Sequence, residues 1–186
     1  LAVALRYESA CPPGGGADAG PAGMRALLRR CYGGTDRLVI ERVTRPALAA
    51  DTVLVKVHAA SVNPLDWHYM RGKPYIMRLD SGLGAPKSPT MGVDFAGVVE
   101  AIGTGVTRFK VGDRVFGARD GALAEYVAAR EGGALVTMPD GIAFADAAAV
   151  PVAAMTALQA VRDKGRVAAG QKVLVNGASG GVGTYA

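Results

Sequence analysis

The residues with the clearest chemical potential lie near the carboxyl end of the sequence. Gly177-Ala178-Ser179-Gly180-Gly181-Val182-Gly183 follows directly on the apolar run Gln171-Lys172-Val173-Leu174-Val175-Asn176. A strand, a glycine turn and a helix start form the physical core of a dinucleotide phosphate site. Glycines let main chain approach a diphosphate, and the helix start offers unpaired N–H groups with a favourable dipole. Ala178 occupies the first position of the G-x-G-x-x-G frame, and Gly180 and Gly183 fill the other two. No Gly-Lys-Ser/Thr follows, which excludes a P-loop. A structural turn of the same composition would look similar, so it is the preceding strand that favours the phosphate reading.

The elements that must hold this loop come next. Gln171–Asn176 has the continuous apolar character of a strand buried on both faces, as in a parallel sheet. Phe144–Val150 and Pro151–Lys164 are alanine-rich and predicted helical, with Pro151 in the first turn and Gly165 at the stop. On the second helix Ala154, Leu158 and Val161 make an apolar stripe, with Thr156, Gln159 and Asp163 opposite. Upstream the pattern is of short strands with turn punctuation: Met24–Cys31, Leu38–Thr44, Thr52–Ala60, Met91–Gly103, Arg114–Gly117, Ala122–Ala129 and Ala134–Met138. In the third, Val53, Val55, Val57 and Ala59 share one face, and Leu54, Lys56 and His58 the other. His58 is expected to be an ordinary surface histidine. Gly97 marks a bulge or close contact. Together these strands predict a small, mostly antiparallel barrel or sandwich.

Composition excludes several classes. The 186 residues carry 21 Lys plus Arg against 16 Asp plus Glu, a net charge of +5 spread along the chain. Arg25, Arg29 and Arg30 form the nearest thing to a basic cluster and are expected on a solvated strand face. With 6% aromatic residues, a base-stacking nucleic-acid platform is disfavoured. No apolar run reaches the roughly 18 residues of a membrane helix. Two cysteines make neither a disulfide scaffold nor a four-cysteine zinc lobe. Cys11 and Cys31 are expected to be reduced thiols. Residues 1–23, with Cys11-Pro12-Pro13-Gly14-Gly15-Gly16, are expected to be a disordered or non-native extension. They show no signal-peptide pattern, and folded structure is expected from Met24.

From Met24 onward the sequence resembles the medium-chain dehydrogenase/reductase superfamily, and within it the zinc-independent quinone oxidoreductase branch. The landmarks are Ala60-Ser61-Val62-Asn63-Pro64-Leu65-Asp66, Gly92-Val93-Asp94-Phe95-Ala96-Gly97-Val98-Val99 and Val111-Gly112-Asp113-Arg114-Val115-Phe116-Gly117. Pro151-Val152-Ala153-Ala154-Met155-Thr156-Ala157 and Val173 to Gly183 complete them in order. The resemblance implies a mainly β fold with α: a GroES-like β-barrel catalytic domain over 24–150, then a truncated Rossmann α/β domain over 151–186. The residue that reads the adenine ribose would lie past Ala186, so the sequence is expected to be a fragment, inactive alone.

Zinc-dependent relatives place a cysteine at Ser61 or its neighbour and a histidine at Val93. Neither residue here can ligate zinc, and His68 with Asp66 supplies too few ligands, so no metal is expected. The resemblance implies hydride transfer from NADPH, favoured over NADH, to a quinone or activated carbonyl or enone. Asn63 is the first catalytic and cofactor-binding candidate. Its amide could donate to a carbonyl oxygen or hold the nicotinamide ribose, or the Asn-Pro pair could simply cap a short helix. Tyr69 is a second catalytic candidate, as proton donor, although His68 occupies the place where relatives carry a tyrosine. Trp67 is expected to pack, and Asp113 and Arg114 to be structural. Cofactor contacts are implied for Thr156 and for Gly177, Ala178, Ser179, Gly180, Gly181, Val182 and Gly183. The expected partners are a small-molecule substrate and a second copy of the full-length chain, with no nucleic acid or membrane, in the cytoplasm. A non-catalytic binding relative and a zinc-type alcohol dehydrogenase are the alternatives.

Overall fold

The computed structural model describes residues 23–186. Strands β1 (Met24–Arg29) and β2 (Leu38–Val43) pair antiparallel as a ribbon. The larger sheet comprises β3 (Thr52–Ser61), β4 (Asp94–Ile102), β5 (Arg114–Ala118), β6 (Tyr126–Arg130) and β7 (Leu135–Thr137). Its order is β6-β3-β4-β5-β7, and every pairing is antiparallel. Single bridges, Ala26 to Ala124 and Leu28 to Thr90, tie the ribbon to the loops flanking this sheet.

Alternation explains which residues fill the core. Val53 and Val55 on β3, Phe95 and Val99 on β4, Val115 on β5 and Leu135 on β7 point inward and are almost fully buried. Each such side chain stabilises the fold by about 1.5–3 kcal/mol. The other face of β4 presents Ala96 to Met138, Ala147 and Ala148. The last two lie on helix α3 (Phe144–Ala148), so the small residue at 96 lets that helix approach the sheet. His58 is exposed as expected, and its ring stacks on Phe144 with centroids 4.6 Å apart. Gly97 makes the close contact its sequence suggests. A Cβ there would lie 2.1 Å from the Lys56 carbonyl oxygen, beside the register shift between Val57 and Ala59.

Between β3 and β4 the chain forms helix α1 (Pro64–Arg71) and the short α2 (Arg78–Ser81). Asn63 is the N-cap of α1 with extended backbone, Pro64 fits the first turn, and Asp66 at the third position accepts the Asn63 N–H at 2.7 Å. Trp67, expected to pack, is exposed on this helix and carries the Arg71 guanidinium over its ring. Asp113 and Arg114 are structural, as expected. Asp113 accepts the Lys110 N–H, and Arg114 donates to the Ile142 carbonyl.

Besides Trp67, four expectations are corrected. Arg29 does not lie on a solvated face: it is buried, because β1 ends against α1, where its guanidinium donates to the Tyr69 carbonyl and sits 5.5 Å from the Tyr32 and Tyr69 rings. Cys31 is buried and disulfide-bonded rather than a reduced thiol, since sequence spacing says little about approach in space; Cys11 lies outside the described residues. Helix α4 (Pro151–Leu158) passes into a π-helical turn, Gln159–Lys164, and buries Ala153 and Ala157 rather than the stripe at Ala154, Leu158 and Val161. Small residues win that face because α5 (Gly181–Tyr185) packs closely there: a Cβ on Gly181 would sit 3.9 Å from the Ala153 Cβ. Finally, 171–176 forms no strand, and Leu174 is 92% exposed. A parallel strand is stabilised only by neighbours on both edges and both faces, and no described strand pairs with it. The extension 1–22 lies outside the described residues.

Candidate functional site

The register of β3 against β4 builds the centre of the site. Ser61, the last residue of β3, faces Asp94, the first of β4, and Asn63 follows two residues on. Asp94 is fully buried. Its Oδ2 accepts hydrogen bonds from the Asn63 Nδ2 at 3.0 Å, the Val152 N–H at 3.1 Å and the Ser61 hydroxyl at 3.3 Å. Its Oδ1 has no partner among the described residues. Burial pushes the Asp94 carboxyl above its ordinary value, against the Val152, Asn63 and Ser61 hydrogen bonds that hold it down. Val152 is the second residue of α4, so the carboxylate also sits at that helix's positive end. One side chain thereby links the barrel, the start of α1 and the start of α4.

The glycine segment and Pro64, the residue after Asn63, line a cleft of about 540 Å³. Pro64, Ala157, Ala160, Gly177, Gly180 and Gly183 are among its lining residues. Gly177 has a positive φ of 74°. A Cβ on Gly183 would lie 2.4 Å from the Gly177 carbonyl oxygen and 2.6 Å from the Ala178 Cα, so the turn closes only with glycine there. The N–H groups of Gly181, Val182 and Gly183 donate to no backbone carbonyl among the described residues. An ungated run of donors on tightly folded, side-chain-free main chain suits a diphosphate. The residues present therefore fit a dinucleotide in chemistry.

The sequence candidates fall into two groups. Gly177, Gly180, Gly181, Val182 and Gly183 line the cleft with Pro64, whereas Asn63, Ala178 and Ser179 are not among its lining residues. Thr156 is on α4 one turn beyond Val152, exposed, with its hydroxyl donating to the Val152 carbonyl at 2.6 Å. Tyr69 lies elsewhere, in a second cleft of about 270 Å³ whose walls include Arg29, Asp66, Asp80, Val93 and Asp120. Burial pushes the Tyr69 phenol up, so it holds its proton at neutral pH. Asp66 lines this second cleft and accepts the N–H of Asn63, the residue before Pro64 of the first. Asp66 is buried too, and its carboxyl is pushed up by that burial. Sequence reasoning missed Asp94 and Arg29 as site residues. The available signal was an acid placed directly before the apolar run Phe95-Ala96-Gly97-Val98-Val99. Among the described residues no three His, Cys, Asp or Glu side chains form a group able to hold a metal ion, and no helix is long and apolar enough to cross a membrane.

An antiparallel barrel whose β3–α1 corner abuts a helix and a glycine turn defines the class: residues 49–140 match the alcohol dehydrogenase GroES-like domain. The chain is 40% identical over 176 residues to the chloroplastic quinone-oxidoreductase homolog of Spinacia oleracea, covering 88% of this chain and 51% of that protein. It is 38% identical over 164 residues to the quinone oxidoreductase of Rattus norvegicus, covering 86% and 47%. Among solved structures, the CurK enoyl reductase superposes with a TM-score of 0.80 at 26% identity, covering 87% of this chain and 49% of that one. The quinone oxidoreductase from Coxiella burnetii superposes with a TM-score of 0.77 at 32% identity, covering 87% and 51%. The chain belongs to the medium-chain dehydrogenase/reductase superfamily and is quinone oxidoreductase-like. It spans about half the length of the curated relatives it matches.

Proposed function

We propose that the protein is an NADPH-dependent, zinc-independent oxidoreductase that reduces a quinone or an activated enone. The observation that carries this reading is the cleft shared by Pro64, beside Asn63, and the glycine turn at Gly177–Gly183. Main-chain N–H groups of that turn hold the diphosphate, and Asn63 and Thr156 hold the nicotinamide end. Bound NADPH supplies the hydride, as two electrons and a proton, to a carbon of the substrate. The substrate oxygen gains negative charge in that step and needs a proton. Tyr69, kept protonated by burial, donates it from the neighbouring cleft, where Arg29 adds positive charge. Residues 24–150 are the catalytic domain of this reading, and 151–186 open the cofactor domain. The names of the relatives, quinone oxidoreductases and an enoyl reductase, agree with this substrate class. The active protein is a homodimer of the full gene product.

The test is turnover by the full gene product. NADPH consumption with a small quinone or an enone is expected, unchanged after treatment with a chelator. No turnover with either substrate class overturns the reading, as does loss of activity to the chelator with recovery on adding zinc.

A further inference from the structure

Asn63 is assigned above to the nicotinamide end of a dinucleotide, and an amide can serve there in two opposite ways. Its Nδ2 can donate, to the oxygen of the compound being reduced. Its Oδ1 can accept, from a hydroxyl or N–H. The surroundings decide between them. An amide nitrogen has two hydrogens. The Asn63 Nδ2 donates on this side to the Asp94 Oδ2 at 3.0 Å and to the Ser61 Oγ at 3.3 Å. The Ser61 hydroxyl spends its own hydrogen on Asp94, so it can only accept from Asn63. A carboxylate also only accepts, so turning the amide over would set oxygen against oxygen in a buried place. The Asn63 Oδ1 lies by the Asp66 N–H in a capping-box arrangement and keeps a second lone pair.

We infer that Asp94 is a positioning residue that locks the Asn63 amide with its donors turned inward, so that Asn63 meets the ligand as a hydrogen-bond acceptor. The group it takes is a hydroxyl or amide N–H of the cofactor, not the oxygen of the substrate. This rests on the dinucleotide reading and narrows it. It also accounts for the unpartnered Asp94 Oδ1: only the oxygen that gathers Asn63, Ser61 and Val152 is needed, and a buried carboxylate is retained despite its cost.

The experiment measures NADPH dissociation by fluorescence titration of the full gene product, with the quinone KM at saturating NADPH as the second readout. Asn63→Ala is expected to raise the NADPH Kd about tenfold, a loss of about 1.4 kcal/mol, while the quinone KM stays within about twofold. Asp94→Leu removes the acceptor and is expected to match that loss. Asp94→Asn keeps a carbonyl oxygen in the place of Oδ2 and restores most of the affinity. The double variant Asn63→Ala/Asp94→Leu binds no more weakly than Asn63→Ala, because Asp94 acts through Asn63. If the Asp94→Leu chain does not fold, Ser61→Ala carries the positioning claim, with a rise of about threefold expected and an unchanged Kd overturning it. A higher quinone KM with unchanged NADPH binding in Asn63→Ala overturns the inference, as does wild-type binding by Asp94→Leu. A flat titration of the unaltered protein refutes the dinucleotide reading itself. Normal binding by the unaltered protein and equal binding by Asn63→Ala refutes this inference alone.

Discussion

The barrel and the segment after Lys164 contain equally apolar strand-like runs, yet only the barrel's become strands. Val53 and Val55 of β3 are completely buried, with β4 on one edge and β6 on the other. Val173 and Leu174 have the same character and are 53% and 92% exposed. Among the amides of 171–175, only that of Gln171 reaches a main-chain carbonyl of the described residues, that of Ala168. A β-branched or apolar run states a preference for a pleated, covered surface, and the ladder and the cover come from other segments. In the barrel both are present among the described residues; around 171–176 they are not.

Substitutions that empty or crowd the two regions should separate them sharply. Phe95→Ala removes the largest fully buried side chain of the described residues and should cost about 3–5 kcal/mol. Leu174→Ala in the same 186-residue chain should change stability by less than about 0.5 kcal/mol. Denaturant melts of both variants measure the difference. Equal losses would mean that 171–176 is covered after all. Gly97→Ala is the next largest effect. Its added Cβ meets the Lys56 carbonyl, which is main chain and held in the β3–β4 ladder. Destabilisation of about 1–3 kcal/mol is expected, and a chain as stable as the parent would show that the two strands part more easily there than their register implies.

These contrasts explain what could be read from the sequence. The two strands of the ribbon and the five of the larger sheet were legible to within a few residues, because alternation and turn residues are local properties. The cleft-lining glycines and the N-cap at Asn63 were legible too, since turn chemistry is written in residue type. Asp94 and Arg29 were not. Both are charged groups whose burial is set by non-local partners: Val152 in one case, Tyr32 and Tyr69 in the other. Sequence gives charge its ordinary prior of exposure, and only the packing of α1 and α4 against the barrel reverses it. The disulfide at Cys31 and the Ala153–Ala157 face of α4 escaped for the same reason.

The smallest expected effect concerns those same buried acids. Burial raises the carboxyls of Asp94 and Asp66 above their ordinary value. Between the ordinary carboxylate value of about 3.9 and their raised folded values, the native state binds more protons than the unfolded state. Their contribution to stability is therefore fully present below the ordinary value and is lost as pH rises through the raised ones. Glu125 and Glu131 lie on the exposed surface with lowered values, from the Arg25 hydrogen bonds and the Arg108 and Thr107 N–H groups respectively. Their terms have the opposite sign and act below their ordinary range, so they do not mask the effect above it. The barrel should accordingly melt at a higher temperature at mildly acid pH than at neutral pH. Asp94→Asn should reduce that gain, because one of the two groups no longer titrates. Melting curves across this pH range measure both. An Asp94→Asn chain with the parent's full pH dependence would assign the effect to Asp66 alone, and with it remove the claim that the barrel keeps a costly charge at Asp94.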